Sequence, residues 1–148
     1  MSTPPLRALL LVDDRTPLLQ FRKTVLESLG YSVITATTPS IALAKLESCS
    51  VDAVLLEYKS EGLDAEATAF HIKQRFPRLP IVLLSAYSRM PERILWLVDE
   101  YVMKSEPLEG LAHVFERVIR SPKSRAAGNS TSGPGPADLK PGKEVGDR

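Results

Sequence analysis

RALLLVDD, residues 7–14, runs from an apolar stretch straight into two aspartates. Apolar side chains at successive positions leave no polar face. Arg7–Val12 therefore reads as a strand covered on both faces, as in a parallel sheet. Its abrupt end places Asp13 and Asp14 at the carboxyl edge of that sheet. Four further runs follow: Tyr31–Thr35 (YSVIT), Asp52–Glu57 (DAVLLE), Ile81–Ser85 (IVLLS) and Tyr101–Met103.

The segments between these runs have helical spacing. Pro17–Leu29 offers Leu18, Phe21, Val25 and Leu29 as an inward face, with Gly30 as its stop. Thr38-Pro39 supplies an N-cap followed by a proline in the first turn, and Ile41, Ala42 and Leu46 form that helix's apolar face. Further helices are predicted at Leu63–Arg75, Pro91–Val98 and Pro107–Ile119. Five strands alternating with five helices specify an α/β domain, a parallel sheet with helices on both faces.

A chain of 148 residues suits one domain. Residues 1–120 are expected to form it. Residues 121–148 are rich in Gly, Pro, Ser and charge and have no apolar period, so a disordered tail is expected there. Net charge is +1, which argues against nucleic acid or an anionic membrane as partner. The single cysteine, Cys49, excludes an internal disulfide. No segment approaches the roughly 20 apolar residues of a bilayer span. A cytoplasmic protein is expected.

In open parallel sheets, ligands bind beyond the carboxyl ends of the strands. Those ends carry Asp13 and Asp14, Glu57, Ser85 and Lys104. Carboxylate oxygens suit Mg²⁺, whereas a lysine and a hydroxyl suit phosphoryl oxygens. Each residue alone is more simply a turn or surface group. Their occurrence at successive strand ends of one fold points to a metal and phosphoryl site. His71 and His113, in predicted helices without partners at ligand spacing, read as solvated side chains, and Trp96 reads as part of the core.

LLLVDD at 9–14, DAVLLEYKSEGLD at 52–64, IVLLSA at 81–86 and YVMK at 101–104 together resemble the receiver domain of response regulators, over residues 7–120. The resemblance implies a flavodoxin-like (βα)5 fold with strand order 2-1-3-4-5. It implies that Asp13, Asp14 and Glu57, with the backbone carbonyl of Lys59, hold a weakly bound Mg²⁺. Glu57 stands at the phosphoacceptor position, where the family has aspartate. Ser85 and Tyr101 would be the switch pair, the hydroxyl moving toward phosphate as the ring turns inward, and Lys104 would pair with the acceptor or its phosphoryl group. The family's output face lies along the fourth helix, fifth strand and last helix.

Glutamate's extra methylene pushes the carboxylate roughly 1.5 Å further into the site. Shortening Glu57 to aspartate is therefore expected to restore phosphate acceptance. Ser105 stands where the family usually has proline, and the short interval from Ser85 to Lys104 should trim the fourth helix. The expected function is a stand-alone, non-enzymatic receiver in phosphorelay signalling, acting by protein contact with a sensor histidine kinase or another signalling protein. Glu57 would bias its switch constitutively. The alternatives are a phosphorylation-independent pseudo-receiver scaffold and a metal-dependent phosphatase. A nucleotide or flavin carrier is disfavoured, because the acidic first loop has no glycine to cradle phosphate.

Overall fold

A computed structural model describes residues 6–58 and 64–120. The expected tail, 121–148, and Lys59 lie outside the described residues. The order of elements is β1 (Ala8–Val12), α1 (Thr16–Ser28), β2 (Ser32–Ala36), α2 (Pro39–Ser48), β3 (Ala53–Glu57), α3 (Ala65–Arg75), β4 (Ile81–Ser85), α4 (Glu92–Leu97), β5 (Glu100–Met103) and α5 (Gly110–Arg120). The five strands are parallel, in the order β2-β1-β3-β4-β5. This is the flavodoxin-like arrangement.

Alternation along the strands divides the core into two layers. Leu10, Val12, Val54, Leu56, Ile81 and Leu83 face α2, α3 and α4. Leu9, Leu11, Leu55, Val82 and Leu84 face α1 and α5. Gly30, at φ +101°, ends α1 in a conformation that side chains disfavour, and it returns the chain to β2 through a bond from its N–H to the Glu27 carbonyl. Thr38 Oγ1 accepts from the Ile41 N–H and Asp64 Oδ1 from the Ala67 N–H, both at helix starts. The fourth helix is trimmed to Glu92–Leu97 as expected.

Three expectations about packing need correction. In α1 the buried residues are Leu19, Arg22 and Leu26, while Leu18, Phe21 and Leu29 are exposed. The helix carries two adjacent apolar stripes, and the one that includes an arginine is the one that packs inward. Ile41 of α2 is also exposed, because Ala42 and Leu46 fill the space over the sheet. Trp96 is 75% exposed, since one short turn of α4 buries only Ile94. His71 and His113 are exposed, as read from the sequence.

Tyr31 joins β2 to α5. Its ring meets Phe115 edge-on at 5.9 Å, and its hydroxyl donates to Glu116 Oε2 at 3.0 Å. Burial, and then the hydrogen bond to the Glu116 carboxylate, push the phenol up to about 12. Its contribution to stability is therefore whole below pH ~10, the unfolded value, and is lost as pH rises through the folded value. Tyr31→Phe should remove that component. The stability difference between wild type and variant should shrink between about pH 9 and pH 12, measured by urea unfolding. A difference independent of pH would show that the phenol is not held in this way.

Candidate functional site at the carboxyl edge of the sheet

Sheet register brings the ends of β1, β3, β4 and β5 together. Val12 pairs with Leu56, Glu57 with Leu84, and Ser85 with Met103. The Lys104 N–H donates to the Ser85 carbonyl at 2.7 Å, and the Tyr58 N–H to the Leu84 carbonyl at 2.9 Å. Backbone pairing thus delivers Asp13, Glu57, Ser85 and Lys104 to one locus, as the strand-end reading anticipates. Asp13 is fixed further, because its Oδ1 accepts from the Arg15 N–H at 3.0 Å. Asp14 is half-buried in the same loop.

Glu57 lies at the centre, its side chain only 1% exposed. Three cations converge on it. Lys104 Nζ reaches Oε2 from the end of β5. Arg15 Nη2 reaches the same oxygen at 2.9 Å from the loop after β1. Arg22 Nη1 approaches Oε1 at 3.3 Å and also donates to Asp13 Oδ2 at 2.8 Å. Arg22 thus bridges the two buried carboxylates with one nitrogen.

Arg15 and Arg22 were not among the residues singled out in the sequence. A signal was nonetheless present. Leu19, Arg22 and Leu26 stand at i, i+3, i+7, so Arg22 shares its stripe with two core leucines. A charge on such a stripe needs a buried partner, and the sheet edge holds three carboxylates.

Burial pushes the Glu57 carboxyl above the usual glutamate range and the Asp13 charge adds to this, while the Lys104 hydrogen bond and the charges of Lys104 and Arg22 oppose it. Lys104 and Arg22 favour the ionised form, because each loses an ion-pair contact when Glu57 is protonated.

Ser85 is fully buried, and its Oγ accepts from the Tyr87 N–H at 2.9 Å. Tyr101, half-buried against the α2–α3–α4 layer, donates its hydroxyl to the Tyr87 carbonyl. The Tyr87 ring meets Tyr58 edge-on at 6.1 Å. Both members of the expected switch pair are therefore tied to one residue of the loop between β4 and α4. Ser105 lies in the turn after Lys104, where the Glu106 N–H donates to the Met103 carbonyl at 3.0 Å.

A divalent metal does not fit this donor set as it stands. The point between Asp13 and Glu57 belongs to the Arg22 guanidinium, and among the described residues no acidic group forms a metal-holding cluster. The crevice beside it, lined by Asp13, Arg22, Glu57 and apolar residues of β1, α1, β3 and β4, leaves about 10 Å³, room for a single water.

Residues 9–115 match the family model described as the response regulator receiver domain. The chain is 30% identical to the alkaline phosphatase synthesis transcriptional regulatory protein PhoP of Bacillus subtilis over 119 residues, 78% of this chain and 50% of that protein. It is 33% identical to the transcriptional regulatory protein GlrR of Escherichia coli over 86 residues, 58% of this chain and 19% of that protein. It thus spans between a fifth and half of these relatives. Among solved structures, the response regulator TrrA of Thermotoga maritima, in complex with Mg²⁺-BeF, is 30% identical, with a TM-score of 0.70 over 76% of this chain and 99% of that one. A receiver domain from Methanospirillum hungatei, 22% identical with a TM-score of 0.71 over 83% of this chain and 99% of that one, shares the fold. No helix among the described residues is long and apolar enough to cross a membrane. With the family model spanning most of the sheet and its helices, the chain belongs to the response-regulator receiver domains of two-component signalling.

Proposed function

We propose that this receiver signals by protein contact with its switch already set, Glu57 standing where phosphorylation would otherwise deliver negative charge. The observation that carries this reading is the bond from Lys104 to Glu57. By the family resemblance, Lys104 pairs with the acceptor carboxylate or its phosphoryl group, and here its partner is the carboxylate of Glu57, carried further into the site by the extra methylene. Tyr101 supports the same reading, because its ring is turned in and its hydroxyl is bound to the β4–α4 loop. One carboxylate carries less charge than a phosphoryl group at about −2. Arg15, as a second donor to the same oxygen, tightens the imitation.

Output then depends on the surface next to this loop. Tyr87 of the β4–α4 loop and Leu95 and Trp96 of α4 are all exposed, large apolar side chains of the kind that anchors protein contacts. Partners of this chemistry include a sensor kinase or another signalling protein. The relatives' transcriptional roles belong to proteins much longer than the matched region. Signalling is favoured over phosphatase chemistry, because Glu57 is taken up by Lys104, Arg15 and Arg22 instead of being open to a substrate.

The test is spectroscopic. Amide resonances of Tyr87, Tyr101 and Trp96 in wild type should not respond to beryllofluoride with Mg²⁺, a phosphoryl surrogate. Lys104→Met should move them, while unfolding free energy falls by only about 1 kcal/mol, as for a partly solvated pair. Wild-type resonances that shift on adding the surrogate would show a switch still waiting for phosphate.

A further inference from the structure

Arg22 enters the acidic pocket from below, on the face of α1 that packs against the sheet, and Leu19 and Leu26 on either side are buried. Its Nη1 lies within hydrogen-bond reach of one oxygen of Asp13 and one of Glu57. A metal ion bound by those carboxylates would occupy the same point.

We propose that Arg22 is the resident cation of this pocket, that it excludes divalent metal from the wild-type protein, and that an uncharged residue in its place opens a divalent-cation site on Asp13, Asp14 and Glu57. This goes beyond the biased-switch reading and does not depend on it.

Charge supports the assignment. Asp13 and Glu57 are met by Arg15, Arg22 and Lys104, so the two buried carboxylates already have their counter-charge and do not attract a further cation. Arg15 is 46% exposed and can swing into water, whereas Arg22 is held by its helix. Removing Arg22 and releasing Arg15 leaves Asp13 and Glu57 against Lys104, with Asp14 next along the same loop, a balance that favours a divalent ion.

Mn²⁺ alone is the probe, read by water-proton relaxation for binding and by broadening of the Asp13 and Glu57 amides for location. Wild type should show no saturable site up to on the order of 10 mM, above the ~1 mM range of weak oxygen-ligand sites. Arg22→Leu and Arg22→Gln should each gain a saturable site at least ten-fold tighter than any wild-type binding, and lose it on adding Asp13→Asn. A variant too unstable to fold alone should fold when Mn²⁺ is added, because a ligand bound only by the native state stabilises it. Saturable binding at Asp13 and Glu57 in wild type overturns the proposal. So do variants that fold without gaining a site, or that stay unfolded in Mn²⁺.

Discussion

Glu57→Ala should lower the unfolding free energy by about 3–5 kcal/mol, the cost of leaving a buried charge without its partner. The penalty is expected from Arg22 more than from the other two cations. Arg15 and Lys104 are 46% and 25% exposed and can turn to water, but the Arg22 side chain, 10% exposed, keeps only Asp13. A double-mutant cycle isolates the coupling. In the Glu57→Ala background, Arg22→Met should cost less than it does in wild type, because only the bond from Arg22 to Asp13 is then left to lose. Urea unfolding with an unchanged m-value measures this. A loss below about 1 kcal/mol for Glu57→Ala would mean that Arg22 is satisfied elsewhere, and the ion cluster would not be what holds α1 to the sheet.

Phosphate acceptance should require two substitutions, not one. Wild type incubated with a small phosphodonor and Mg²⁺ should gain no mass. Glu57→Asp returns the carboxylate to the family's length, which by itself addresses a misplacement of a kind that costs on the order of 100-fold per ångström. Arg22 remains on Asp13 in that variant, however, and the metal that would neutralise the phosphoryl oxygens has no place to bind. Glu57→Asp with Arg22→Leu should gain one phosphoryl group, Mg²⁺-dependent in intact mass. Glu57→Asp alone should remain at least ten-fold slower. Rapid labelling of the single variant would restore the simpler expectation, that the length of Glu57 is the whole obstacle. Labelling of wild type would remove the reason to regard the switch as preset.

The two predictions share one residue, and it is the one that pattern reading placed on the wrong side of α1. Leu18, Phe21, Val25 and Leu29 make a clean apolar stripe, so periodicity turned that stripe inward and Arg22 away from the core. Apolar patterning assigns a charged residue to solvent unless a partner is known, and the partners lie 9 and 35 residues away in the chain. Trp96 failed for a related reason. Partial burial is the commoner state of a helical tryptophan, but α4 is too short to present more than Ile94 to the core.

What the sequence by itself determined is the framework: five strands, their parallel alternation with helices, and the convergence of Asp13, Asp14, Glu57, Ser85 and Lys104 on one edge. Those features follow from local pattern and from the rule that parallel strands end at a common edge, so they need no knowledge of which side chains meet. The electrostatic state of the site was decided only by the tertiary structure. Whether three carboxylates await a metal or already hold their counter-charge depends on the rotation of α1 about its axis. That rotation is set by the packing of Leu19 and Leu26 against β1 and β3 together with the pull of Asp13 and Glu57 on Arg22. The same rotation that buries Leu19 and Leu26 brings Arg22 to Asp13 and Glu57, and those partners exist for it only once the strands and the helix are in place.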